Sequence, residues 1–197
     1  MIRQVRSDDK DAIADGFDRL SPESRYRRFF TPLRELTEGD LAYLTEVDHH
    51  DHEALIATAE DTGELVGVVR YIRVPGTTEA EVAVVVADEW QGRGIATALL
   101  DRLVERARDE GITHFLALVQ AENVEALRMF EGFAPTGSER RRSASGHIEL
   151  VIELPEPGTP TTASRLGRAL RAAARGALRA SPWSAINERI RHNRPFS

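Results

Sequence analysis

The residues most able to do chemistry lie in the turn Gln91-Gly92-Arg93-Gly94. Gly92 and Gly94 let a backbone turn its N–H groups toward one point without side-chain clash. Behind them Ile95, Leu99, Leu100, Leu103, Val104 and Ala107 recur at helical spacing. A helix there adds free N–H groups and the positive end of its dipole. The chemistry that fits is binding of a phosphate or pyrophosphate. A second polar concentration is Val47-Asp48-His49-His50-Asp51-His52. Its histidines and aspartates suggest a metal, but ligands must converge from spaced positions on fixed elements. Adjacent His49 and His50 point apart on most backbones, so no metal site is expected. A loop that brings Asp48 or His49 to a polar pocket is the better functional reading.

The elements that must position these residues follow from pattern. Residues 2–5 can open a sheet. Ile13, Phe17 and Leu20 share one helical face over residues 8–20. Ser21 and Pro22 restart a helix that runs to Phe30, with Ser as cap and Pro in the first turn. Thr37 precedes a third short helix, with Asp40 in a capping-box position. Leu41, Leu44 and Val47 form its inner face. Strands are predicted over 53–60, 65–74 and 80–87, separated by turns at 61–64 and at Pro75-Gly76. Then come the glycine turn and its helix, stopped by Gly111. A buried strand (115–120), a helix from Asn123 to Phe130 ending at Gly132-Phe133, and two paired strands near 138–144 and 148–154 complete the series. The fold class predicted is α+β (mixed α/β), a meander followed by helical crossovers. A Rossmann domain is disfavoured, because a third glycine is missing and a three-strand meander precedes the turn.

Composition narrows the function. The chain has 197 residues, 41% hydrophobic and 29% charged, and no cysteine. It is long enough for one domain with a real core plus an extension. Disulfides, thiolate zinc sites and cysteine nucleophiles are excluded. No apolar run approaches a membrane span, and the start lacks a secretory signal, so a cytoplasmic protein is expected. Residues 155–197 hold eight Arg against two Glu, a net +6, which leaves −12 for residues 1–154. An acidic body attracts cationic partners and repels nucleic acid. Residues 1–154 are read as one domain, 155–163 as a Pro/Thr linker, and 164–197 as an Arg-rich amphipathic extension. Leu166, Leu170, Ala173 and Ala177 face one way on its wheel, and five Arg face the other. Its Ala-rich face buries little area. Docking on the acidic body, or on a neighbouring subunit in a homodimer, is favoured over an anionic membrane or nucleic acid.

Gln91-Gly92-Arg93-Gly94-Ile95-Ala96 resembles the Q/R-x-x-G-x-G/A signature of GNAT-family acyl-CoA N-acyltransferases. The valine strand before it, the helix after it, and Asn123-x-x-Ala126 are similar as well, and the likeness spans residues 2–154. Within that family, Leu20-Ser21-Pro22-Glu23-Ser24-Arg25-Tyr26-Arg27-Arg28-Phe29-Phe30 resembles the N-terminal stretch of bacterial protein lysine acetyltransferases. Val47-Asp48, Ala54-Leu55-Ile56-Ala57 and Ala80-Glu81-Val82-Ala83 resemble that subgroup too, the last matching its strand with a catalytic glutamate. The regulatory or acyl-CoA-synthetase-like domain often found beside such domains is not expected in these residues.

The resemblance implies a central, mostly antiparallel sheet flanked by helices, and transfer of an acetyl group from acetyl-CoA to an amine. The backbone of Gln91, Gly92, Arg93, Gly94, Ile95, Ala96 and Thr97 would hold the pyrophosphate. Val84, Val85 and Val86 would offer backbone to the pantetheine arm and thioester, and Asn123 would hydrogen-bond the CoA chain. Glu81 is the expected general base, with Asp48, Glu53 and Glu149 in reserve. Where many members place a proton-donating Tyr, this chain has Phe130. Either the thiolate leaves without a side-chain acid, or Tyr71 or Tyr43 supplies the proton. The acceptor expected is a protein lysine. A small amine (amino acid, polyamine or antibiotic) and a non-catalytic acyl-CoA-binding module are the alternatives.

Overall fold

A computed structural model describes residues 1–131, 138–142 and 147–155. Its elements are β1 (Ile2–Gln4), α1 (Lys10–Asp18), α2 (Pro22–Phe29), α3 (Glu38–Thr45), β2 (His52–Thr58), β3 (Leu65–Arg73), β4 (Glu79–Val86), α4 (Ile95–Asp109), β5 (His114–Gln120), α5 (Val124–Glu131), β6 (Ser138–Arg142) and β7 (His147–Glu153). This is the order that the patterning predicts. Seven strands form one sheet in the order β1-β2-β3-β4-β5-β7-β6. Every pairing is antiparallel except β4 with β5. The linker beyond Pro155, the Arg-rich extension and the Gly132-Phe133 turn lie outside the described residues.

Helices cover both faces, which is why β4 reads as a nearly continuous apolar run. On one face Ala80, Val82, Val84 and Val86 pack with Leu99, Leu100 and Leu103 of α4 and with Phe115 and Val119 of β5. On the other, Ala83 joins Phe17, Leu20, Phe29 and Leu33 beneath α1 and α2. Ala54 and Ile56 join Ile13 and Leu44 farther along that face. Each such Leu or Phe contributes about 1.5–3 kcal/mol by leaving water.

Local chemistry sets the helix ends. The predicted helix over 8–20 stops at Asp18, because Pro22 biases Ser21 toward extended backbone (ψ 155°). Leu20 is still buried, carried inward by the turn instead of by the helix. Ser21 then caps α2, its Oγ accepting the Ser24 N–H at 3.2 Å. At α3 both halves of the capping box form. Thr37 Oγ1 accepts the Asp40 N–H at 3.2 Å, and Asp40 Oδ2 accepts the Thr37 N–H at 2.8 Å.

Candidate active site

β4 and β5 pair at three positions only: Glu79 with His114, Ala80 with Phe115, Glu81 with Leu116. Yet β4 continues to Val86 and β5 to Gln120. The sheet therefore opens beyond Glu81 and Leu116, while β5 stays paired with β7 as far as Gln120. Backbone directions alternate along a strand. The Ala87 N–H donates to Val66 O at 2.9 Å on the β3 side, so Val85 also turns to β3. Val84 and Val86 turn their backbone groups into the opening. Of the three valines named from sequence, Val84 and Val86 thus present backbone there, whereas Val85 presents a side chain to the α1–α2 face.

At the mouth of the opening lies the glycine turn. Gly92 has φ 73° and Gly94 φ 81°, a region that side chains disfavour. Gly94 caps α4 without a side chain, and the first helical bond runs from the Ala98 N–H to Gly94 O at 3.0 Å. The N–H groups of Ile95, Ala96 and Thr97 thus have no acceptor within α4. Gln91 acts as a lock: its Nε2 donates to Val86 O at 3.0 Å. Arg93 lies over the Trp90 indole, 4.6 Å from the ring centre, so its charge is held by stacking.

Glu81 is the last paired residue before the opening. Its partners Ile72 and Leu116 place it on the face covered by α1, α2 and α3, opposite α4. Its Oε2 is buried. Glu149 of β7 shares that face, in register with Leu118. Beside them, the Phe30 ring meets the His147 ring edge-on at 4.5 Å, so the end of α2 reaches β7. Asn123 is 5% exposed and caps α5, its Oδ1 accepting the Ala126 N–H at 3.2 Å.

Other candidates have different work. Glu53 is fully buried on the α4 face. Its Oε1 meets His49 Nδ1 at 2.7 Å, and its Oε2 accepts from Gln4 Nε2 (2.8 Å) and Arg106 Nε (3.1 Å). Asp48 Oδ1 accepts the N–H groups of His50 and His52, both at 2.8 Å. Burial pushes the Asp48 carboxyl up, but those N–H groups outweigh it and hold the group below its ordinary value. His50 meets Glu110, and His52 Nε2 takes Arg70 Nη1 at 3.0 Å. The three imidazoles thus go to three different partners. Among the described residues no group of three or more His, Asp or Glu could hold a metal. The reading of this loop as a supplier of Asp48 or His49 to the substrate gives way to a structural role. Tyr71 donates its O–H to His50 O at 2.9 Å, and burial raises its pKa above the ordinary phenol. Phe130 is 1% exposed in the core.

Sequence reading missed Asp88. It accepts the Ser21 N–H (2.9 Å) and the Oγ groups of Ser21 (3.1 Å) and Ser24 (2.7 Å). This ties the start of α2 to the segment just before the glycine turn. No local pattern marks a contact across 67 residues.

The model of the Acetyltransferase (GNAT) family matches residues 17–133. The chain belongs to the GNAT family of acetyltransferases. It is 31% identical to an acetyltransferase of Pseudomonas aeruginosa over 125 residues, 62% of this chain and 67% of that one. It is also 31% identical over 180 residues to the acetyltransferase Pat of Mycolicibacterium smegmatis, covering 91% of this chain and 53% of Pat. The chain therefore spans about half the length of Pat. Among solved structures, the GNAT domain of S. lividans PAT aligns with a TM-score of 0.70 at 34% identity, covering 78% of this chain and 89% of that one. For a GNAT acetyltransferase the donor is an acyl-CoA, and the residues fit one. Free helix N–H groups stand at the glycine turn, and the strand edge of Val84 and Val86 leads from there toward Glu81.

Proposed function

We propose that this GNAT acetyltransferase moves an acetyl group from acetyl-CoA to a primary amine, the lysine side chain of a protein. The observation that carries the reading is the opening between β4 and β5, with Glu81 at its closed end and the Gly92/Gly94 turn at its mouth. The N–H groups of 92–97 hold the pyrophosphate against the α4 dipole. Val84 and Val86 hold the pantetheine arm by backbone bonds, and one of their N–H groups stabilises the developing oxyanion. Asn123 Nδ2 donates to the CoA chain.

A lysine with pKa ~10.4 is neutral in about one molecule per thousand at neutral pH. Glu81 removes the ammonium proton, directly or through a water. The amine nitrogen then adds to the thioester carbonyl, its second proton passes to water, and the C–S bond breaks with the electron pair leaving on sulfur. Phe130 cannot protonate that sulfur, and the Tyr71 hydroxyl is committed to His50 O. The thiolate of CoA leaves as the anion and takes a proton from water. Support for a protein lysine comes from the resemblance of residues 20–30 to protein lysine acetyltransferases and from the −12 charge of residues 1–154, which suits a cationic acceptor. Residues 1–154 are assigned as the catalytic domain, with the cytoplasm as its setting.

The test is incubation with acetyl-CoA and candidate proteins, reading free thiol and acetyl-lysine, beside a panel of small amines. Acetyl-lysine on protein supports the reading, and turnover confined to small amines replaces the acceptor. CoA binding without thiol release from any amine leaves only a binding module.

A further inference from the structure

On the face that carries Glu81, α1, α2 and α3 roof a cavity that is partly open to solvent. Its walls are mostly apolar, with Ile13, Phe17, Phe29, Leu44, Val68 and Val85 among them. Two arginines also line it, Arg28 from α2 and Arg70 from β3. They are 4% and 1% exposed. A buried charge is costly unless it is paired.

Neither arginine has a carboxylate partner among the described residues. Arg70 donates Nη2 to Leu44 O and Nη1 to His52 Nε2, both at 3.0 Å and both neutral acceptors. Its Nε is buried without a hydrogen-bond partner, and so is Arg28 Nη1. The Arg28 guanidinium lies 4.7 Å from the centre of the Phe29 ring. Burial pulls Arg28 down to about 9, with repulsion from Arg70 adding to it, and burial pulls Arg70 down to about 10. Both remain protonated at neutral pH, so two cations share one apolar chamber. The Tyr43 phenol favours their charged forms. Elsewhere the chain satisfies a buried charge fully: Glu53 on the opposite face has Arg106, Gln4 and His49 around it.

We propose that this cavity binds a small organic carboxylate with an apolar body, its anionic end held between Arg28 and Arg70. The two unpartnered N–H groups offer charge-assisted bonds to two oxygens. The apolar walls take the rest of the molecule. A carboxylate is favoured over inorganic phosphate, whose greater charge and extra oxygens need more donors than the chamber provides. This site goes beyond the acetyl-transfer reading, and its occupation does not depend on acetyl-CoA.

The test is thermal melting and calorimetric titration of the full chain, without acetyl-CoA, using propionate, butyrate, benzoate and inorganic phosphate as probes. At least one carboxylate is expected to raise the melting temperature saturably. Arg28→Met, which breaks no hydrogen bond among the described residues, is expected to melt at or above the wild-type temperature without ligand. It should weaken the carboxylate by about tenfold or more, the loss of one charge-assisted bond. The proposal is overturned if no carboxylate shifts the wild type, if only phosphate does, or if R28M responds equally. It is also overturned if ligand-free R28M melts well below wild type, since Arg28 would then be structural. Thiol release from acetyl-CoA is measured separately, so loss of one reading does not decide the other.

Discussion

Glu81 stands where the sheet changes from paired to open, with Oε2 buried and with Ile72 and Leu116 in register beside it. The proposed role of this carboxylate is to deprotonate the acceptor ammonium. Glu81→Gln keeps shape and removes the base. It is expected to lower kcat by about 10²–10⁴-fold and to leave the KM for acetyl-CoA unchanged, because the proposed cofactor contacts lie at 84–97 and Asn123. Thiol release against acetyl-CoA concentration checks this, and a kcat within a few fold of wild type would remove Glu81 from the mechanism. The tight turn leaves little room for another solution at Gly92 and Gly94, whose φ values are 73° and 81°. Glu53 and Asp48 show the limit of residue type as a guide. Both are carboxylates near histidines, and the structure spends both on holding a loop and a buried ion network.

Element ends carry double duties. Asn123 caps α5 through Oδ1, its Nδ2 is proposed as a donor to the CoA chain, and two substitutions separate these roles. Asn123→Ala is expected to cost about 1 kcal/mol of stability through the lost cap and to raise the KM for acetyl-CoA. Asn123→Asp keeps the cap and loses the donor, so melting is retained while the KM rises. Denaturant unfolding beside steady-state kinetics reads both. The start of the chain is held by Arg3 and Asp9, paired at 2.6 and 2.7 Å. The bond from Arg3 holds the Asp9 carboxyl below its ordinary value, against burial. Its stabilisation is therefore present above the unfolded carboxyl pKa of about 3.9 and is lost as pH falls through the lower folded value. Arg3→Leu is expected to lose about 1–2 kcal/mol at neutral pH and to show a shallower fall in acid. Melting temperature against pH, for both proteins, measures it.

At the scale of the molecule, the proposed donor site is shared among β4, the glycine turn, α4 and the start of α5, so on that proposal acetyl-CoA binds only the folded chain. At about 100 times its Kd it is expected to add about 2.7 kcal/mol, a rise of about 5–10 °C in melting temperature for a domain of this size. A melting curve that ignores acetyl-CoA would contradict the donor site.

Much of this was legible in the sequence because it is local. The Gly92/Gly94 turn and the apolar period of α4 lie within a few turns of chain. The caps at Ser21 and at Thr37 with Asp40 span three residues each. The apolar run of β4 follows from burial on both faces. By itself, then, the sequence determined the order of elements, the glycine turn and the family signature, all governed by short-range backbone and periodicity rules. Only the tertiary structure decided where β4 and β5 part, which valines turn backbone into the gap, and that the VDHHDH loop is spent on Glu53, Glu110 and Arg70. It also decided that Asp88 anchors α2, and that Arg28 and Arg70 share a chamber. The physical reason is range. These contacts join side chains from separate elements, and whether a charge is paired or stranded depends on how those elements pack.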